Sequence, residues 1–390
     1  MKHSLLSSEE KLQLIQDYQP GAFFLASPKR TILAEGIFQH IETNQLNELS
    51  TRVAHVFDAA KQAGIQAPIV AGAVPFDPAQ PVRLNVPIHV QFSDPLEFHQ
   101  GDESEVTSPS YEVSPVPSPE VYMNGVNEGL AKIEKGELSK IVISRSLHLK
   151  SNQDIHTKAI LERLARHNTT GYTFAANVAD PASSQKRTLL GASPELLLSK
   201  TGSSVISNPL AGSRPRSSDP VEDQRRHDEL LTSAKDLHEH AVVVEAVTKA
   251  LAPYCRTLDV PASPSVIQTE TMWHLSTVVK GELENSSVSS IDLALSLHPT
   301  PAVCGTPTAD AREAIQAIEP FDRGFFTGMI GWADANGDGD WIVTIRCAEA
   351  EGQSLRLFAG AGVVKGSKAE EELAETSAKF NTMLRAMGIH

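Results

Sequence analysis

Short apolar runs and longer amphipathic stretches alternate along the chain, and the two periodicities predict different elements. Runs such as Ala22-Phe23-Phe24-Leu25 and Ile69-Val70-Ala71-Gly72-Ala73-Val74, with the segment 86–92, predict early strands around one helix over 46–63. Lys140-Ile141-Val142-Ile143-Ser144-Arg145 predicts another strand, and more are expected over 172–178, 188–200, 205–209, 274–283, 324–333, 341–349 and 355–364. Helices are expected over 119–135, 155–166, 221–251, 290–297, 310–317 and 368–387. Residues 1–10, with Ser7-Ser8-Glu9-Glu10, read as a capped helix. Residues 101–120 are rich in Ser, Pro and acid, with too little apolar surface to order themselves, and read as a long surface loop and the best linker candidate.

Many of these strands follow one another through turns without an intervening helix. That pattern favours an α+β protein with large antiparallel or mixed sheets and flanking helices over a doubly wound parallel fold. A length of 390 residues allows one large domain or two moderate ones. The strands over 21–92 are too few for a separate domain, so the expectation is a single domain over 1–390, with 1–117 the less diagnostic part and 118–390 the core of the function.

Charge and composition narrow the function class. The 34 Lys and Arg stand against 48 Asp and Glu, a formal net charge of −14, which opposes nonspecific attraction to nucleic acid or anionic lipid. Any anionic ligand must therefore meet local cations. No apolar run approaches the roughly 18 to 20 residues of a membrane span, and the first residues lack a signal-type apolar stretch, so a cytoplasmic protein is expected. Cys255, Cys304 and Cys347 show no paired spacing and read as free buried thiols.

Two motifs fail on inspection. Asp334-Ala335-Asn336-Gly337-Asp338-Gly339 copies the start of a calcium-binding loop, but Ile345 stands where the closing bidentate carboxylate belongs, so a hairpin turn is expected. Gly360-Ala361-Gly362 lacks the third glycine and the βαβ context of a dinucleotide site.

The remaining candidates carry chemistry. Lys140 opens an otherwise apolar strand and is either a strand-end lysine or a desolvated base. Glu195, between apolar residues on both sides, is either edge-exposed or functional. Glu239 on one helix, and Glu372 and Glu375 three apart on another, are either solvated acidic faces or oxygen ligands suited to Mg²⁺. Arg346 and the amides around Gly360 to Gly362 suit a carboxylate. Together these outline a receptor for a small organic acid beside a divalent metal.

The segments 140–145, Gly191-Ala192-Ser193-Pro194-Glu195, Asn208-Pro209-Leu210-Ala211-Gly212-Ser213, 297–305, Ile345-Arg346-Cys347-Ala348 and Phe358-Ala359-Gly360-Ala361-Gly362 resemble those of chorismate-utilising enzymes. More narrowly, the ordered match over 118–390 resembles the isochorismate synthases of catecholate siderophore pathways. The resemblance implies one large domain with a two-sheet β-sandwich and outer helices. It also implies Mg²⁺ held by Glu239 and Glu375 with Glu372 nearby, Lys140 as general base and Glu195 as general acid. Arg346, the amides of Gly360, Ala361 and Gly362, and Lys379 would hold the side-chain carboxylate, His274 would orient substrate, and Ala302 would lie near it.

The reaction implied is attack of water on C2 of chorismate with loss of the C4 hydroxyl, giving isochorismate. It asks for perturbed proton affinities in opposite directions at the base and the acid. Among relatives, aminodeoxychorismate synthases often carry a nucleophilic lysine in the segment where this chain has Ala211. Anthranilate synthases draw ammonia from a glutaminase partner, whereas the lysine at 140 resembles the water-using branch and implies no such subunit. Salicylate synthases share the lysine and the acid and then eliminate pyruvate, which leaves them as the catalytic alternative. A silent metabolite-binding scaffold is the alternative of another class, and an enzyme consuming isochorismate is the downstream partner to expect.

Overall fold

The computed structural model describes residues 14–41, 43, 45–98 and 109–389. The helix expected over 1–10 and residues 101–108 of the expected loop lie outside the described residues.

Two large antiparallel sheets form a single domain. The first has ten strands: Gly305–Thr306, Lys140–Ser151, Ser354–Val363, Cys347–Glu351, Thr188–Ser193, Tyr172–Asn177, Phe23–Ala26, Thr31–Glu35 and His89–Ser93 in spatial order, with Tyr111–Val116 also paired to Lys140–Ser151. The second has nine: Cys255–Asp259, Val279–Leu283, Ser204–Asn208, Leu196–Thr201, Gly339–Val343, Met329–Asp334, Ile69–Val74, Arg83–Val86 and Gln39–Ile41. A small third sheet orders Leu210–Pro215, Met272–Ser276 and Ser265–Gln268. The sandwich interior is apolar: Phe23, Leu25, Ile32 and Phe174 of the first sheet share one buried cluster with Ile69, Ala73, Ile330 and Ile342 of the second. Helices cover the outer faces, Thr157–His167 and Ala369–Ala386 on the first sheet and Leu49–Gln62, Ala234–Leu251 and Ser290–Leu297 on the second.

Several strands read as continuous are divided between sheets, and these divisions build the site. The run 188–200 is two strands that change sheet at Pro194-Glu195, and 341–349 is two that change at Thr344-Ile345-Arg346. Likewise 274–283 divides between the third and second sheets, and the chain passes from the second sheet to the third at Pro209. Periodicity cannot see the corners at Glu195 and Arg346, because the strand residues on both sides of each are buried and read as one apolar run. The Glu195 and Arg346 corners are tied together: the Val343 amide donates to the Glu195 carbonyl at 3.2 Å, and the Ala192 amide to the Arg346 carbonyl at 3.0 Å.

Two further expectations are corrected. The expected linker contains Tyr111–Val116, registered from Tyr111 opposite Ser151 to Val116 opposite Ser146. It is a mostly exposed edge strand, where Pro and charge are tolerated and no apolar pattern is required. The helix expected over 221–251 is two, Pro220–Thr232 and Ala234–Leu251; Ser233 ends the first and its side chain accepts from the Asp236 amide to start the second.

Candidate active site

A cavity lined by both polar and apolar groups opens where the corners meet the third sheet. Glu195, Glu239, His274, Ala302, Arg346, Gly360, Gly362, Glu375 and Lys379 all line it. Lys140, Glu372 and Ala361 do not. Ala361 faces away by strand alternation between its two glycine neighbours, and the three residues lie within the paired strand Ser354–Val363, each opposite a residue of Lys140–Ser151.

Glu195 sits in its corner 2% exposed, with the Leu210 amide 3.5 Å from Oε1. Burial raises its carboxyl to about 7, against the opposing pull of the Leu210 amide and of the charges on Lys140, Arg346 and Lys379. A carboxyl in that range is available as a proton donor.

Lys140 is fully buried at the start of its strand, whose opposite face packs under helix Pro119–Glu134, where a Cβ at Gly129 would fall 2.9 Å from the Ile141 side chain. Its Nζ lies 2.8 Å from Glu239 Oε1. That approach satisfies distance but not hydrogen-bond direction, so Nζ has no directed partner among the described residues. Gly362 makes the contact possible: a Cβ there would stand 2.1 Å from Glu239 Oε1 and 3.2 Å from Lys140 Cε.

Glu239 is buried because it shares the inward face of helix Ala234–Leu251 with Asp236, His240, Val243 and Val247. Asp236 on that face takes Arg214 Nη2 at 2.6 Å. Burial lowers His240 to about 4, and its Nε2 lies 2.7 Å from Thr277 Oγ1. Glu372 follows the same logic on helix Ala369–Ala386, and half-buried Glu375 lines the cavity, so the solvated-face alternative does not hold for these glutamates. Glu372, 1% exposed, takes Lys235 Nζ at 2.7 Å; Glu375 takes Lys379 Nζ at 2.5 Å and the Ser213 hydroxyl at 2.9 Å. Burial and then the Glu375 charge raise Glu372 to about 7. Burial also pushes Glu375 upward, but Lys379 and Lys235 hold it below the ordinary carboxylate range.

His274 lies on the middle strand of the third sheet, opposite Ser213, and its Nε2 is 3.2 Å from Arg346 Nη2. A guanidinium only donates, so this Nε2 accepts and the proton resides on Nδ1. Burial, then the charges of Arg346 and Lys379, holds the imidazole neutral. Arg346 occupies its corner at φ +50, a left-handed conformation uncommon outside glycine, and burial lowers it to about 10. Lys379 Nζ donates to the Gly360 carbonyl at 2.9 Å.

The glutamates fit a magnesium ion by chemistry. They offer oxygen only, and Glu372 and Glu375 feel each other's charge on one helix face, which suits a divalent cation. Among the described residues no three His, Cys, Asp or Glu converge as a preformed cluster. Two carboxylates completed by water are, however, the usual protein share of a magnesium site. Sequence reasoning passed over Ser213 and Lys235. Ser213 lay inside a quoted motif without a role, and Lys235 had no pattern to mark it.

An antiparallel sandwich whose corners deliver a buried acid and a guanidinium to one cavity, with an imidazole from the third sheet on its wall and a buried lysine paired to one of its wall glutamates, is the frame of an enzyme acting on a small organic acid. The chain belongs to the chorismate binding enzyme family, whose pattern matches residues 88–388. It is 61% identical over 394 residues to isochorismate synthase DhbC of Bacillus subtilis strain 168, covering 100% of this chain and 99% of that protein. It is 44% identical over 368 residues to the vibriobactin-specific isochorismate synthase of Vibrio cholerae, covering 94% and 91%. The crystal structure of DhbC from Bacillus anthracis superposes with a TM-score of 0.94 at 58% identity, covering 98% of this chain and 100% of that one.

Proposed function

We propose that the chain is an isochorismate synthase, an isomerase converting chorismate to isochorismate for catecholate siderophore biosynthesis. The observation that carries the chemistry is Glu195, whose carboxyl is raised to about 7 on the wall of the same cavity that Glu239 lines with buried Lys140 behind it.

Lys140, turning from Glu239 toward the cavity, takes a proton from water as the oxygen bonds to C2. The ring double bonds shift, the C4–O bond breaks, and Glu195 gives its proton to the departing hydroxyl. One water enters and one leaves, so the step is an isomerisation. Arg346, backed by neutral His274, and Lys379 hold the side-chain carboxylate by charge-assisted hydrogen bonds. Glu239 and Glu375, with Glu372 beside them, would hold magnesium, which when bound neutralises the ring carboxylate. A water nucleophile requires no glutaminase subunit.

Among the described residues no helix is long and apolar enough to cross a membrane. The reading places the enzyme in the cytoplasm, delivering isochorismate to an enzyme that consumes it. Purified protein with chorismate and Mg²⁺, resolved by chromatography, tests the reaction. Isochorismate alone supports it; salicylate with pyruvate, or binding without turnover, overturns it.

A further inference from the structure

Arg323 is 3% exposed and does not line the cavity, yet its guanidinium holds three segments that do. Each of its five N–H groups has an acceptor. Nε donates to Glu319 Oε2 at 2.8 Å; Nη1 donates to the Val303 carbonyl at 2.8 Å and Thr327 Oγ1 at 3.2 Å; Nη2 donates to the Val142 carbonyl at 2.8 Å and Glu319 Oε1 at 2.5 Å. Val142, Val303 and Thr327 all line the cavity and come from a strand, a loop and a turn far apart in sequence.

The other side of the network is equally committed. Glu319 Oε1 also accepts from the Ser144 amide at 2.7 Å, and the guanidinium lies 4.6 Å from the Phe76 ring centre. Thr327 stands at φ +60, a conformation costly for a β-branched residue, and with Arg346 it is one of two non-glycine residues at positive φ among the described residues. Both line the cavity. A backbone in that state persists only where its surroundings over-determine it, and the Thr327 amide donates to the Thr344 carbonyl at 2.8 Å while its hydroxyl accepts from Arg323.

We infer that Arg323 is a positioning residue for the reaction. Its planar fork fixes the strand just beyond Lys140, the loop beside Ala302 and the Thr327 turn relative to one another, and so sets the shape of one cavity wall. A lysine supplies charge but no planar fork and cannot reproduce five fixed donors. The inference rests on chorismate being the substrate.

The experiment compares wild type, Arg323→Lys and the double variant Arg323→Met/Glu319→Leu by thermal melting, steady-state kinetics with chorismate and Mg²⁺, and calorimetric chorismate binding. The double variant removes both members of the buried ion pair together, so that neither charge is left unpaired. Folded variants with KM and the binding constant for chorismate weakened tenfold or more, and kcat reduced, are expected. Either variant folded with wild-type constants overturns the inference. If neither folds, Arg323 serves the fold and the positioning role is overturned as well. Loss of turnover in the wild type would refute the assigned reaction instead, and the binding constants would still report on the wall.

Discussion

Lys140 Nζ lies 2.8 Å from Glu239 Oε1 across a gap that exists only because residue 362 is glycine. The lysine proposed as base and a glutamate proposed to hold the metal are therefore built as one unit, although they come from the first strand of the core and a helix about a hundred residues later. Gly362→Ala would press a methyl into the Glu239 carboxylate. We expect kcat to fall by at least a hundredfold and the Mg²⁺ requirement to rise, with the cooperative melt retained; unchanged kinetics would separate this pair from the reaction.

Glu195 makes the pH dependence explicit. Its proton is held to about pH 7, so kcat should be maximal with respect to this group below that pH and decline as pH rises through it. Glu195→Gln should cost about 10²–10⁴-fold in kcat. A pH–rate profile with no falling limb near 7, or an active Gln variant, would remove Glu195 from the acid role.

The same shift bears on stability. The folded carboxyl titrates near 7 and the ordinary one at 4.5, so its contribution is fully present below about pH 4.5 and is lost as pH rises through about 7. The wild-type denaturant midpoint should fall relative to that of Glu195→Gln as pH rises from 4.5 to 8. Glu372 shifts in the same direction while the lowered His240, His274 and His298 oppose it, so the difference between the two proteins is what reads Glu195.

His274 should stay neutral throughout the assay range, with its proton on Nδ1. Nitrogen-15 spectra of the imidazole should show one unchanging tautomer from pH 5 to 9. His274→Ala leaves a buried Arg346 donor unpaired at a cost of about 1–3 kcal/mol, which should appear chiefly as a raised KM. A titrating imidazole would contradict the Arg346 contact.

Removal of the metal should arrest the enzyme. With chelator, turnover should stop while the fold persists, because each glutamate keeps a lysine partner: Glu239 with Lys140, Glu372 with Lys235 and Glu375 with Lys379. Glu375→Ala should weaken Mg²⁺ binding measured by calorimetry. Full activity in chelator would exclude the metal role.

The elements were easier to read than their junctions. The helix Ser290–Leu297 and the start of the strand at Lys140 follow directly from spacing and capping. The corners at Glu195 and Arg346 did not, because a buried strand leaving one sheet and a buried strand entering the other share one apolar pattern. Edge strand Tyr111–Val116 was hidden for the opposite reason: an exposed edge needs no apolar pattern. The site residues were legible as types and motifs, and their meeting was not. Burial of Glu239 and Glu372 depends on which helix face meets the sheets, which a charge-rich sequence does not declare. Ser213 and Arg323 act through partners more than a hundred residues away or through backbone carbonyls, and neither kind of contact leaves a mark in local sequence.

The most direct test of the central claim is turnover of chorismate with Mg²⁺ in water enriched in oxygen-18, with the product resolved by chromatography and mass spectrometry. Isochorismate carrying one solvent oxygen at C2, without pyruvate, is the predicted result; unlabelled isochorismate, or salicylate with pyruvate, would contradict it.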